Sequence, residues 1–314
     1  MILTHGHEDH IGGLPFVLPY LPNFPVYGTR LTAAFANEKL KDFGSQTKVL
    51  VSDYNRDIKL GSFTVSFTHV THSILETSHP VIKTPIGIFY HGSDFKFDFT
   101  PVDGKPSDLQ QIASYAGQVL NLSSDCLGAE RAGFTPSERK ITESFEKIIS
   151  ETRGKVFVTT YSSNISRLNQ AIDAAYKYGR KVCFIGRSFL KARDIGRELG
   201  YMDYPEDIEM QPQDIRRIDP GKVLILCAGS QGQPESGLMR IATDNDRDFK
   251  ITSNDSVIFS SDPIPGNELN VYRLVDLISK KGARVMHSDI SDDFHVSGHG
   301  SQKDLELLIS LTRP

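Results

Sequence analysis

The sequence predicts an α/β protein in two parts, and three observations predict it. Within the first 134 residues, β-branched and aromatic runs are interrupted by Gly, Pro, Asn and Asp at turn spacing. From about Thr135 the pattern changes to strands alternating with amphipathic helices, which implies βαβ units and a mainly parallel sheet. The composition, 39% hydrophobic and 24% charged over 314 residues, is that of a globular chain large enough for one large or two ordinary domains.

Taken in order, KVLVSDYNRDIKLGSFTVSFTHV (48–70) and TPIGIFYHGSD (84–94) read as short strands. TPSERKITESFEKIISETRG (135–154) reads as a helix with Thr135 as N-cap, Pro136 at the first helical position and a Gly stop. KVFVTTYSS (155–163) follows as a buried strand, SRLNQAIDAAYKYGR (166–180) as a helix, and KVCFIGRS (181–188) as a strand. The alternation continues with helix FLKARDIGRELGY (189–201), strands KVLILCAGSQG (222–232) and DSVIFSSDPIPG (255–266), and helix NELNVYRLVDLISKKG (267–282). No fixed-period repeat or low-complexity segment interrupts this order.

Several function classes are excluded by composition. A net charge of −4 argues against nucleic-acid binding by bulk charge, although a local basic groove or a metal-centred site stays open. No run approaches the roughly 18 to 20 apolar residues of a membrane span, and no basic-then-apolar leader opens the chain. Cys126, Cys183 and Cys227 are odd in number and far apart, so a reducing cytoplasm is expected, without disulfides or cysteine zinc sites.

The chemistry concentrates in HGHEDHIGG (5–13), where His5, His7, Asp9 and His10 fall at i, i+2, i+4 and i+5 before two glycines. In an extended backbone the first two side chains point the same way, and a following turn lets the next two converge nearby. Imidazole and carboxylate are the donors zinc takes when cysteine is absent, and a catalytic site keeps one position open for water. His72, near the end of SFTHVTHS, and Asp94, after IGIFYHGSD, offer further ligands at strand ends, with Asp94 able to bridge two cations. A lone histidine is ordinarily a satisfied polar residue, so the case rests on the set. Later in the chain, GSQGQP (229–234) supplies small residues and exposed backbone N–H groups suited to a phosphate, and Arg187 in IGRS ends a neighbouring strand.

These motifs, in the order THGHEDHIGG, THSILETSH, HGSDFKFD, SDCLGAERAGFTPSE, IGRS, GSQGQP, SSDPIPGNE and HVSGHGSQKDL, run essentially the length of the chain. In that order the sequence resembles the metallo-β-lactamase-fold nucleases of the β-CASP group, and among them most of all ribonuclease J. The resemblance implies an α/β fold: a metallo-β-lactamase αββα sandwich, here incomplete, with an inserted α/β β-CASP domain. It divides the chain into residues 1–134, the first part of the metallo-β-lactamase domain; 135–290, the β-CASP domain; and 291–314, the return segment. It implies that His5, His7 and His72 hold one zinc, Asp9 and His10 the second, and that Asp94 bridges them. Asp9, Asp94, Asp125 and His299 are the catalytic set it implies, with Asp125 orienting His299 beside the metals. His295 and Ser297 would contact a phosphate, and Arg187, Ser230, Gln231 and Gly232 would line the RNA channel and a 5′-monophosphate pocket.

The pattern departs from the family at both ends. A strand pair and an aspartate motif that precede the histidine cluster, and a Gly-followed histidine ligand expected soon after Pro314, are absent. The second metal site is therefore expected to be the weaker. Ser93 stands where the family usually has Gly, with slight effect expected. The reading is a cytoplasmic zinc-dependent ribonuclease (manganese being an alternative metal) acting on single-stranded, 5′-monophosphorylated RNA, 5′-to-3′ exonucleolytically, endonucleolytically or both. Its expected partners are RNA and a second copy or other ribonuclease subunits, with no membrane. The alternatives are a catalytically weak RNA-binding fragment and a DNA nuclease of the same fold.

Overall fold

The structure, a computed structural model of the chain, describes residues 1–54, 56–287 and 293–314. It divides into two compact units, Met1–Ser137 with Ser297–Pro314, and Glu138–Val296. The predicted boundary at residues 290 and 291 lies outside the described residues.

In the first unit, β1 (Val26–Gly28) and β2 (Val49–Val51) pair in parallel, and Ile2 bridges to Tyr27 beside them. Strands β3 (Ile58–Leu60), β4 (Phe63–His69), β5 (Ser78–Thr84), β6 (Gly87–Gly92) and β7 (Val119–Ser124) make a second sheet in chain order. Its pairs are antiparallel except the last, β6 with β7, which is parallel because helix α4 (Leu109–Ala113) lies between them in the chain. Short helices α1 (Glu8–Ile11) and α2 (Leu14–Val17) precede β1.

The first third is less purely β than its sequence predicts, because Arg30–Asp42 forms a thirteen-residue helix, α3. Its buried Ala33, Ala36 and Leu40 pack on Val26, Val49 and Leu3. Val65 and Phe67 of the larger sheet face Ile2 and Tyr27, so the two sheets share a core. Val81, Tyr90 and Val119 pack against Ile112 of α4 and Leu308 of the return segment. Helix, sheet, sheet and helix therefore stack as four layers, the αββα arrangement.

The second unit is a five-stranded, wholly parallel sheet in the order β12, β11, β8, β10, β9. These strands are β8 (Val156–Thr159), β9 (Lys181–Ile185), β10 (Val223–Cys227), β11 (Ser256–Phe259) and β12 (Arg284–Met286). The helices of this unit are α5 (Lys140–Glu151), α6 (Ile165–Lys177), α7 (Arg187–Glu198), α8 (Gly237–Ala242) and α9 (Glu268–Ser279). Strands β8, β10 and β11 are buried along their whole length, which is why they read as unbroken apolar runs.

The start of α5 differs from the sequence expectation. The helix begins at Lys140, so Thr135 is not its N-cap and Pro136 is not in its first turn. Thr135 is bound elsewhere in the first unit, its N–H donating to Asp304 and its hydroxyl to the His299 carbonyl. Glu138 is fixed in turn by an ion pair with the buried Arg167 of α6. After the described gap, the return segment ends in α10 (Gln302–Thr312), which opens with a capping box between Ser301 and Asp304.

Candidate metal centre

Every residue assigned above to metal binding or catalysis lies in the first unit. His5 follows the short extended stretch at the N-terminus, His7 is the extended residue that begins α1, and Asp9 and His10 lie within that helix. His72 follows β4, Asp94 follows β6 and Asp125 follows β7, whose backbone N–H donates to the Gly92 carbonyl at 2.8 Å. Strands β4, β6 and β7 run in the same direction in one sheet, with the antiparallel β5 between the first two, and thus deliver these side chains from the same end. Ser93, the departure beside Asp94, is buried and its hydroxyl donates to the Ser78 carbonyl at 2.9 Å.

Asp94 is the focus of the cluster. Its Oδ2 lies 3.3 Å from His10 Nε2, 3.7 Å from His5 Nε2, 3.8 Å from His72 Nε2 and 3.9 Å from His299 Nε2. Among the described residues, three groups have donor atoms within 4.8 Å of one another: His5, His7, His72 and Asp94; Asp9, His10 and Asp94; and Asp94, Asp125 and His299. The first can hold a cation with four donors, the second with three. Asp9 and His10 are exposed, whereas His5 is fully buried.

Two observations test whether these residues fit a metal. His5 Nε2 is buried without a hydrogen-bond partner, a costly state for a polar atom unless something else satisfies it. His72 Nδ1 must carry its proton, because it donates to the Gly298 carbonyl at 2.7 Å, so its Nε2 presents a lone pair. That lone pair lies 3.1 Å from His7 Nδ1 and faces Asp94, as expected for converging ligands. The donor set therefore fits a borderline-soft divalent cation, and the Gly298 carbonyl supplies the outer hydrogen bond that fixes a ligating imidazole.

The electrostatics agree. Burial, reinforced by neighbouring imidazoles, holds His5 at about 2 and drives His72 well below the ordinary histidine value. Burial likewise brings His7 to about 4. These rings are neutral donors at physiological pH, the form a metal requires. Burial pushes the Asp94 carboxyl upward, but the His10 hydrogen bond and the surrounding imidazoles outweigh it and bring it to about 2. His10 is raised, mainly by its hydrogen bond to Asp94. His299 is also raised: burial opposes its charge, yet Asp125, 2.8 Å from its Nδ1, prevails.

Of the residues assigned to substrate, all but Ser297 fall in the second unit. Arg187 is exposed at the start of α7, and Ser230, Gln231 and Gly232 follow β10 in the second unit. Gln231 is buried with its amide engaged, donating to the Asp262 carbonyl and accepting from Ile264 N–H. Gly232 has φ +68°, and a Cβ there would meet the Asn270 carbonyl oxygen at 2.4 Å, so backbone packing alone requires this glycine. His295 Nε2 lies 3.3 Å from Asp262 Oδ2, and Ser297 Oγ accepts from His299 N–H at 3.1 Å. Gly298 and Asp304 were not singled out by the sequence reading. For Asp304 a signal existed, the Ser-x-x-Asp spacing that marks a capping box.

Comparison with known proteins agrees with this construction. Residues 1–118 match the metallo-beta-lactamase superfamily, and residues 153–278 match the family described as "Ribonuclease J, beta-CASP domain". The chain is 43% identical to "Ribonuclease J" of Thermus thermophilus, the match covering all of this chain and 56% of that protein. It is 41% identical to "Ribonuclease J 1" of Streptococcus pyogenes (all of this chain, 56% of that protein) and 40% identical to "Ribonuclease J" of Helicobacter pylori (all of this chain, 46% of that protein). The chain spans about half the length of the curated relatives it matches. A crystal structure titled as a protein of unknown function from Enterococcus faecalis V583 shares the fold, with TM-score 0.72 at 16% identity, over all of this chain and 73% of that one. Motif order, layer architecture, ligand geometry and whole-chain identity converge: the chain carries a metallo-beta-lactamase superfamily region and a ribonuclease J beta-CASP region, and is similar along its whole length to part of the proteins named ribonuclease J.

Proposed function

We propose that the chain is the metal-binding and substrate-binding portion of a zinc-dependent ribonuclease that hydrolyses phosphodiester bonds in single-stranded RNA. The observation that carries this reading is the convergence of four imidazoles within 4 Å of one Asp94 oxygen, beside the Asp125–His299 pair. His5, His7, His72 and Asp94 would hold the first zinc; Asp9, His10 and Asp94 a second, weaker one. A bound divalent cation supplies Lewis acidity and a water of lowered pKa. The protein's residues do the rest. Asp94 stays ionised and keeps His10 and His299 oriented toward the same point. His299, held by Asp125, carries its proton further into the neutral range and can deliver it from Nε2 to the oxygen that leaves phosphorus.

The relatives' names support RNA as substrate. A 5′-monophosphate preference, exonucleolytic and endonucleolytic cutting, a cytoplasmic location and assembly with a second copy or another ribonuclease subunit belong to the same proposal. The three cysteines are free, and among the described residues no helix is long and apolar enough to cross a membrane.

The test pairs metal content by elemental mass spectrometry with hydrolysis of matched 5′-monophosphorylated RNA and DNA oligomers. Between one and two zincs per chain and loss of RNA, both abolished by Asp94→Ala, are expected. Undiminished RNA hydrolysis by Asp94→Ala would refute the mechanism, and faster loss of DNA would refute the substrate. The three-donor composition of the second cluster favours one further reading, a chain that binds RNA but cuts it slowly. Retained RNA binding with sub-stoichiometric zinc identifies that case.

A further inference from the structure

We infer that Asp304 is a positioning residue of the metal centre, an inference that rests on the metal-binding reading above. Its carboxylate is fully buried and accepts three backbone N–H groups from three separate segments of the first unit. Oδ1 takes the Phe97 N–H at 2.7 Å; Oδ2 takes those of Thr135 and Ser301 at 2.9 Å each. Each segment leads to a site residue.

The Phe97 segment begins at Asp94. It is stitched to the His72 segment through Lys96 N–H on the Thr71 carbonyl and Asp98 N–H on the Thr71 hydroxyl. Fixing Phe97 therefore fixes the level of both Asp94 and His72. The Thr135 hydroxyl donates to the His299 carbonyl at 2.8 Å and lies 2.9 Å from Ser301 Oγ, so the second segment reaches His299 from its backbone side. The third is the return loop itself, where Gly298 holds the His72 tautomer and His299 meets Asp125.

The fit around this knot leaves little slack. A Cβ on Gly298 would lie 2.7 Å from His72 Cε1 and from Ser73 Oγ, and one on Gly300 would lie 2.8 Å from Asp304 Cβ. Gln302 N–H and Lys303 N–H donate to the Arg131 and Gly133 carbonyls, which ties the loop after Asp125 to the start of α10. A displacement of the return loop by a fraction of an ångström would thus alter the Gly298–His72 hydrogen bond and the Asp125–His299 pair together. Asp304 touches no ligand atom of the cluster; it acts through the backbone of the groups that do. An amide in its place would turn an NH₂ toward N–H donors, so Asp304→Asn keeps the volume and breaks the function of the carboxylate.

The experiment compares the wild-type chain with Asp304→Asn, Thr135→Val and the core control Ile112→Ala. Zinc affinity is read by competition with a chromophoric chelator, thermal stability by calorimetry. In the zinc-free chain, the His72 Nδ1–H and His299 ring signals are read by ¹⁵N-resolved NMR. Asp304→Asn is expected to lose zinc affinity by about 10- to 100-fold, the usual effect of an outer hydrogen-bonding partner. Thr135→Val keeps its N–H on Asp304 and should lose about fivefold, the equivalent of one net hydrogen bond. Ile112→Ala should lose thermal stability and keep its zinc affinity. Wild-type zinc affinity in Asp304→Asn overturns the inference, and so does an equal loss in Ile112→Ala, which would make the effect one of general stability. If Asp304→Asn does not fold, Thr135→Val decides by the same readings. A wild-type chain that binds no zinc sinks the metal reading instead. The positioning claim is then judged by the zinc-free spectra, where an unshifted His72 Nδ1–H in the variants overturns it.

Discussion

Acidifying the metal-free chain should destabilise it steeply across the range where histidine titrates. His5, His7 and His72 are held neutral in the folded state at values far below the ordinary one, by burial first and by one another second. As pH falls through about 6.5, the unfolded chain takes up these protons and the folded chain does not. The stability contributed by a lowered histidine is therefore present above that value and is lost below it, down to the folded value of about 4 for His7 and about 2 for His5. Moving from about pH 7.5 to 5.5 costs on the order of 1 kcal/mol for each such ring, or a few kcal/mol for the three together. His79, held by burial at about 3 beside the Tyr90 hydroxyl, adds a similar amount, on the order of 1 kcal/mol, from the core. His10 and His299 act in the opposite sense. Their raised values contribute stability that is complete at low pH and lost as pH rises, so they return part of the difference. The net change remains a large fraction of a total that is typically ~5–15 kcal/mol. Urea unfolding in chelator at a series of pH values measures it, with His79→Phe separating the core contribution. Stability that is flat over this range, or that rises on acidification, would refute the assignment of neutral, metal-ready imidazoles.

Three further outcomes are expected. Gly298→Ala should cost at least about tenfold in zinc affinity, because its methyl group would meet His72 and Ser73 at 2.7 Å; wild-type affinity by chelator competition would contradict this. Arg180 is buried and donates to the carbonyls of Ile149, Thr152, Gly154 and Val223, so Arg180→Met should lower the unfolding free energy by about 3 kcal/mol, and a urea midpoint within error of wild type would count against it. Asp125→Asn removes the main group that opposes burial at His299, so the ring should titrate at lower pH in the metal-free chain; an NMR titration with an unchanged midpoint would exclude that balance.

What was legible in the sequence was what is local. His5, His7, Asp9 and His10 lie within one short loop and helix turn, so their spacing alone points to convergence. The alternating strands and helices from Val156 to Ser279 were legible because parallel strands covered on both faces must be continuously apolar. Helix α3 was obscured by its small, weakly patterned residues, and its first turn borrows a cap from a distance, the Glu76 carboxylate on Leu31 N–H at 2.6 Å. Thr135 and Pro136 carry a helix-start signature, yet tertiary hydrogen bonds claim Thr135 and delay the helix to Lys140. The Ser-x-x-Asp spacing marks Asp304 as a helix cap, but its long-range role was hidden for a related reason. Its partners at Phe97 and Thr135 are backbone N–H groups far away in the chain, which any residue but proline can offer, so no residue type marks them.

The return segment also sets a timetable. The carbonyl that fixes His72 belongs to a residue made 226 positions later, and Asp125 waits 174 positions for His299. Synthesis proceeds from the N-terminus, so a nascent chain that has not yet emerged beyond Val296 carries the histidine loop, Asp94 and Asp125 but neither His299 nor Asp304. Closure of the first unit must wait for the whole second unit to be translated, a contact of high order that folds late. The candidate metal centre therefore lacks the Gly298 carbonyl on His72 and the Asp125–His299 pair while its own messenger is still threaded through the ribosome.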